Sequence, residues 1–531
     1  MANHFKLKSS PKVYKNYKSD FPSRTILRAE KAFKKLGIRL NKLKYEWNKI
    51  GEEKILIYSG RLLYNNQYVS SGKGINYQLS KASAYSELIE RIPVDLSPLT
   101  SCINLGIDIK KGSFLPGYSY GSQEEMDNTI DIKEFFTHFP LLNFKKYKKN
   151  DLFEHWVDAY SLTEDKYKKV PHLLIRRISG SNGCASGNTL EEAISQAFFE
   201  ICERHSLIEH LLRKESIPTV DQNSIKNKTI HRAIELFNSM NIDVEIKDLT
   251  LGNKLPVMGV LFTNQNLAHE KNTLRKKLFF KTLIVGSHPD LNQALLRCFT
   301  EKIQLNIADI QTLMYHKELY ILDQYFSKKE KEKIIEDFEK EIYSPLFSTG
   351  RSFDSFDYLN KFSPLISFGE LLGHQTTDFL EDIKIIKDIS EKNNWETLII
   401  DYSVSELPLK VVRVIVPSVS DVLRFKYSPK TTYFFDEKNK TPLPEVFVKS
   451  NKSKGINIEK LTSVLENHLA QNIIWPRPQE NSFSPQKILF LLSAVYLLKK
   501  EYKKSRHILK LLNDTQGPSG DNFDITSFIK E

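Results

Sequence analysis

Apolar positions along the first hundred residues switch period several times. Ile26, Ala29, Phe33 and Leu36 recur at helical spacing from Pro22, and Gly37 follows as a stop, so Pro22 to Gly37 is predicted helical. Lys54 to Leu63 and Gln67 to Ser71 read as strands around the Tyr64-Asn65-Asn66 turn, and Tyr77 to Ile92 returns to the helical period before Pro93. The predicted order is helix, hairpin, helix. A second round starts with a strand-like run from Lys169 to Ile178, passes a glycine-rich turn from Gly180 to Gly187, and enters a long helix to about Leu212. A third pairs a strand from Leu278 to Gly286 with a helix from Leu291 to Ile307, across His288-Pro289-Asp290. Two more strands, Thr397 to Asp401 and Lys410 to Val416, precede Pro417, which predicts a mixed α/β (α+β) fold and leaves the strand directions open.

Farther on, Lys328 to Lys340 has the mixed charge of a solvated helix. After Tyr427 the chain becomes a polar, Lys-rich connection up to Glu480. Ser484 to Leu512 then reads as a helical hairpin, with Leu491, Val495 and Leu498 on one stripe and Ile508, Leu511 and Leu512 on the other. The predicted division is a core over 1–425, a linker and irregular cover over 426–483, and a short C-terminal helical extension over 484–531.

With 40% hydrophobic, 27% charged and 11% aromatic residues, the composition excludes long disorder. The net charge of +12 admits a nucleic-acid or membrane partner, but Lys, Ile and Asn are frequent everywhere, as general compositional drift also produces. For the densest basic stretch, Lys12 to Lys49, a solvated helix face and a ligand site are equally good explanations. Cys102, Cys184, Cys202 and Cys298 are widely spaced, which argues against both a zinc site and a disulfide framework. The longest apolar run, Ile488 to Leu498, is too short to span a bilayer. A cytoplasmic, non-membrane protein is expected.

Chemistry concentrates on two of the predicted helices. Ser83, Glu87, Glu90 and Arg91 fall at i, i+4, i+7 and i+8, within one stripe about 100° wide. Glu192, Gln196, Glu200, Glu203 and Arg204 repeat the device at i, i+4, i+8, i+11 and i+12. A Glu-x-x-Glu-Arg string occurs in both. Glutamates one turn apart repel, so a cation belongs between them: an arginine, a divalent ion or both. A solvated acidic face is the plainer alternative, but the apolar flanks, such as Leu88 and Ile89 or Phe198 and Phe199, favour a cleft. Oxygen ligands suit magnesium better than zinc. Ahead of the second helix, Ser181 to Thr189 offers small residues at a helix N-terminus, where either a phosphate or a plain capping arrangement fits. No Walker loop or dinucleotide fingerprint accompanies it, and the residues alone support only a carboxylate-rich metal cleft.

These residues resemble the YcaO family. Its Ser-x3-Glu-x2-Glu-Arg signature is matched by Ser83, Glu87, Glu90 and Arg91, and its Ser-x6-Glu-x3-Gln signature by Ala185, Glu192 and Gln196, with Ala185 in place of Ser. Lys18, Thr25, Asn188, Arg297 and Glu301 extend the likeness, which runs from about Lys18 to Pro417. The resemblance implies a YcaO-type ATP-binding core with ATP and Mg2+ as cofactors. Glu87, Glu90, Glu192, Glu200 and Glu203 would ligate magnesium. Lys18, Thr25, Ser83, Arg91, Asn188, Gln196, Arg204, Arg297 and Glu301 would hold the nucleotide.

The implied reaction is ATP-dependent phosphorylation of a peptide amide oxygen during azoline or thioamide formation on a ribosomally made peptide or protein. An accessory role to a ribosomal-protein methylthiotransferase is the alternative. Azoline-forming members end in a Pro-x-Pro-x-Pro tail, whereas this chain has Pro476-Arg477-Pro478 internally and ends in Phe528-Ile529-Lys530-Glu531. Trp156 to Leu162 is closer to members acting on peptide natural products. The implied partners are a peptide or protein substrate, a separate leader-peptide-binding or sulfur-delivery protein, and a second copy in a homodimer; neither a membrane nor a nucleic acid is expected.

Overall fold

In the computed structural model, residues 5–94, 115–131, 154–303, 363–420 and 485–515 are described, apart from 270–279 and shorter gaps, with isolated positions between 325 and 469. The chain divides into two compact units, 1–307 with 344–425 and 308–343 with 426–531.

The first unit begins with α1 (Pro22–Lys35), whose Ala29, Ala32 and Phe33 are buried. Three antiparallel strands follow, β1 (Leu43–Glu52), β2 (Ile55–Tyr64) and β3 (Gln67–Gly74), and then α2 (Tyr77–Arg91). The predicted hairpin is thus a three-stranded sheet. Its extra strand, β1, begins in the basic stretch expected as a helix face, and there Leu43, Tyr45 and Trp47 alternate with Lys44, Glu46 and Asn48, the period of a strand and not of a helix. α2 is capped by the Asn76 side chain, which accepts from the Leu79 amide at 2.9 Å.

A second sheet runs in the order β11-β10-β9-β8-β12, where β8 is Thr219–Val220, β9 Ile242–Asp248, β10 Val257–Asn264, β11 Lys281–Ser287 and β12 Leu365–Ile366. Only its β12–β8 pairing is parallel. The third sheet has the order β4-β5-β13-β14-β7, with β6 added beside β5. Here β4 is Ser119–Tyr120, β5 His155–Ser161, β6 Lys166–Pro171, β7 Cys184–Gly187, β13 Leu398–Asp401 and β14 Lys410–Ile415. The run expected as one strand from Lys169 to Ile178 is instead the end of β6 and a helix, α3 (His172–Ser179). Pro171 ends the strand, and in the helix Leu174 and Ile175 turn inward, with Ser179 buried at its end, an arrangement that the apolar run conceals. β7 lies within the predicted glycine-rich turn.

The 24-residue helix α4 (Leu190–Arg213) runs between the second and third sheets. Its Ala193, Ile194, Ala197, Phe198, Ile201 and Cys202 pack with Ile399, Val412 and Val414 of one sheet and Leu261 and Leu283 of the other. Each large apolar side chain buried there stabilises the fold by about 1.5–3 kcal/mol. On its far face the second sheet meets α5 (Lys228–Ser239) and α6 (residues 291–303), where Phe237, Phe262 and Phe299 cluster. Burial on both faces explains the unbroken apolar run of β10. α7 (Phe379–Lys392) covers α4 through Ile383 and Ile386.

The second unit contains α8 (Pro485–Leu498) and α9 (Tyr502–Thr515), the expected helical pair. On α9, Ile508, Leu511 and Leu512 are buried as expected, whereas on α8 the buried set is Ile488, Leu489, Leu492, Val495 and Tyr496. Leu498, expected on the buried stripe, is 69% exposed at the helix end. The predicted helix from Lys328 to Lys340, nearly all of the connection up to Glu480, and Cys102 lie outside the described residues.

One buried ion pair closes the first unit. Lys12 Nζ lies 2.8 Å from Asp382 on α7, both side chains fully buried, and Ser195 of α4 donates to the other Asp382 oxygen at 2.8 Å. Replacing Lys12 with Met leaves a buried carboxylate without its cation, and we expect a loss of about 3–5 kcal/mol in chemical denaturation.

Candidate functional site

The polar faces of α2 and α4 open onto one cavity of ≈ 550 Å3, whose walls include β3, β11 and α6. That volume suits a nucleotide-sized ligand. All the residues singled out in the sequence line it: Lys18, Thr25, Ser83, Glu87, Glu90, Arg91, Asn188, Glu192, Gln196, Glu200, Glu203, Arg204, Arg297 and Glu301.

Inside the cavity nearly every carboxylate has a base of its own. Arg91 bonds Glu87 one turn before it, and Arg204 bonds Glu200 at 2.8 Å in the same way. Glu203 meets Arg297 at 3.0 Å and accepts from the Ser287 amide at 3.0 Å; Arg297 also donates to Gln196 at 3.0 Å. Glu192 lies 3.3 Å from Lys18 and takes a bond from the Ser19 hydroxyl. Glu301 is paired with Lys73, from β3. Glu87 also accepts from the Ser71 amide at 2.9 Å. At the α1 end, Asn188 Oδ1 accepts from Thr25 at 2.9 Å and Arg28 at 2.6 Å.

Glu90 is the exception: among the described residues nothing bonds or pairs with its carboxylate. Burial raises its pKa well above the usual carboxylate range, and the charge of Glu200 adds to the rise. Glu203 is raised too, chiefly by burial. Lys73 is lowered to about 8, first by burial and then by Arg297, against the opposing pull of Glu203, Glu87 and Glu200.

Of the five glutamates expected as magnesium ligands, Glu87, Glu192, Glu200 and Glu203 each face a base, and among the described residues no three acidic, histidine or cysteine side chains gather closely enough to hold a metal ion by themselves. The N-terminus of α4, read as either a phosphate seat or a cap, has the capping arrangement. Thr189 Oγ1 accepts from the Glu192 amide at 3.2 Å, and Glu192 reaches back to the Asn188 amide at 3.0 Å.

The donor set nevertheless fits a divalent cation with a polyphosphate. Oxygen ligands on two facing helices, one of them the unpartnered Glu90, match a hard cation, and the bases released from the other glutamates match phosphate oxygens. Ala185 takes no part, because its side chain is buried in the apolar core against α4 while Ser181 and Ser186 line the cavity. The pattern of the helices does not disclose Lys73, Ser71, Ser19, Arg28 or Ser287. Lys73, Ser71, Ser19 and Ser287 come from strands and loops with too few charged residues to show a polar face, and Arg28 comes from α1.

Comparison with known proteins is consistent with this site. A family model described as YcaO cyclodehydratase, ATP- and Mg2+-binding, matches residues 71–420. An uncharacterised protein of Methanothermobacter thermautotrophicus is 26% identical over 29% of this chain and 42% of its own. The Escherichia coli ribosomal protein S12 methylthiotransferase accessory factor YcaO is 25% identical over 44% of this chain and 40% of its own. The chain spans about two fifths of the length of the curated relatives it matches. A solved heterocyclase in complex with substrate and cofactor superposes with a TM-score of 0.53 at 20% identity, covering 78% of this chain and 54% of that one, a likeness of fold.

The raised Glu90 sets a pH dependence. A native carboxyl that holds its proton above the unfolded value of about 4.5 makes stability fall as pH rises from that value through the raised one. His172, His210 and His288, whose pKa values burial lowers, change stability in the opposite sense, so the contribution of Glu90 is read as a difference between proteins. From pH 5 to 7 the ligand-free Glu90→Gln variant should melt increasingly higher than the wild type, as read by thermal denaturation across the pH series.

Proposed function

This chain belongs to the YcaO family, whose members bind ATP and Mg2+, and from that premise we propose that it activates backbone amides of a ribosomally made peptide or protein by phosphorylation. A nucleophile adds to the amide carbon, the amide oxygen takes the terminal phosphoryl group with release of ADP, and the oxygen then departs as phosphate. A Cys, Ser or Thr side chain as nucleophile leaves an azoline, and a sulfide donor leaves a thioamide. The observation that carries the reading is the pair of Glu-x-x-Glu-Arg faces turned onto one cavity, with Glu90 in no ion pair among the described residues.

The cofactor supplies a transferable phosphoryl group, and the metal neutralises its charge. The protein's part is exchange of partners. Glu87, Glu90, Glu192, Glu200 and Glu203 are the oxygens available to the metal. Arg91, Arg204 and Arg297 thereby lose their carboxylates and become donors to phosphate, for which a guanidinium's forked geometry is suited. Lys18, Thr25 and Asn188, at the α1 end, hold the remainder of the nucleotide, with Ser83, Gln196 and Glu301 along the walls. Because each base begins in an ion pair, the empty cavity keeps its net charge low without solvent.

An accessory role beside a methylthiotransferase is the second reading. It is favoured by the apolar side chains that α8 and α9 leave exposed, Phe490, Leu497, Leu498 and Tyr502, a surface suited to a protein partner.

Calorimetric titration with ATP tests the first reading. Binding should require Mg2+, and Glu203→Gln should weaken it by about tenfold or more, the size of one charge-assisted interaction. Binding indifferent to Mg2+, or unchanged in the variant, would remove the site. Mg2+-dependent binding with no release of ADP in the presence of any peptide would favour the accessory role.

A further inference from the structure

Lys73 is the one base in the cavity that belongs to neither of the paired helical faces nor to any predicted site. It stands on β3 between Gly72 and Gly74, two positions where a Cβ would run into α2 at Ser80, Ala84 and Leu79. That flat packing holds the strand against the helix and fixes the root of the lysine, while Ser71 and Lys73 at alternate positions line the cavity. Its ammonium reaches across to Glu301 on α6, and the carboxylates of Glu203, Glu87 and Glu200 all act on it.

We infer that Lys73 is a phosphate-binding residue, held by Glu301 until the nucleotide arrives. The inference rests on the ATP and Mg2+ reading above and extends it to a residue that the two signatures do not contain. Glu87, Glu200 and Glu203, which would hold the metal, line the same cavity as Lys73 and act on its charge, so a phosphate held by that metal would lie within reach of the ammonium. The four other bases constrain one another: Arg91 and Arg204 are tied to glutamates of their own helices, Arg297 to Gln196 and Glu203, and Lys18 to Glu192. Lys73 has a single partner on a different element and a flexible four-carbon stem, so it turns from carboxylate to phosphate without disturbing either helix. Glu301, expected from resemblance to hold the nucleotide, then acts indirectly, by keeping the ammonium in place while the cavity is empty.

The competing role is a strut between β3 and α6, and calorimetry with the full chain separates the two. With MgATP as probe, Lys73→Met should weaken binding about tenfold or more, while adenosine binding changes less than about twofold, because one charge-assisted bond to phosphate is lost and nothing else. Lys73→Arg, which keeps the charge, should recover most of the loss, and it also serves if Lys73→Met fails to fold. Equal MgATP affinity in wild type and Lys73→Met, or equal losses of MgATP and adenosine, would make Lys73 a strut. Failure of the wild type itself to bind MgATP would instead count against the proposed function.

Discussion

Everything in the first unit serves to hold like charges facing one another inside a cavity. Six glutamates line it, and five of them meet a basic side chain before any ligand does. Carboxylates brought together in a partly desolvated space repel one another, and the paired bases offset that repulsion. The sixth, Glu90, has no such ion pair among the described residues; burial and the charge of Glu200 favour its protonated form, so a cation that binds there displaces a proton.

The apolar architecture explains how such a site is kept in register. α4 is buried along Ala193, Ala197, Phe198 and Ile201 by two sheets at once, so its polar face cannot rotate without breaking contacts with both. α2 lies close on β3 because Gly72 and Gly74 have no side chains there. The two faces oppose each other as a result of close packing behind them. The bases on the cavity walls then choose among partners already in place, which is why short-range pairs such as Arg204–Glu200 coexist with the distant pair Arg297–Glu203.

Much of the site was legible because helices write their faces into sequence: Glu192, Gln196, Glu200 and Glu203 share one side for geometric reasons alone. Strands were less legible. In β1 the alternation of Leu43, Tyr45 and Trp47 with Lys44, Glu46 and Asn48 is short and sits in a stretch dominated by charge, and in α3 the contiguous Leu173, Leu174 and Ile175 have the look of a strand. Lys73 had no chance of being read, since a single lysine between glycines has no period. The ion pairs were hidden for a further reason: the residues alone say that Glu87 and Glu90 need a cation, but whether an arginine or a metal supplies it depends on distances in space. Ala185 shows the same limit, since a residue's place in a signature does not reveal which way its side chain points.

The link between Lys12 and Asp382 spans 370 positions of the chain, and the same N-terminal segment delivers Lys18 and Ser19 to Glu192. During synthesis those residues leave the ribosome hundreds of residues before α7. Contacts of such sequence separation form slowly. The segment that carries Lys18 into the cavity therefore has an anchor, Lys12 on Asp382, that a nascent chain lacks until α7 has been made.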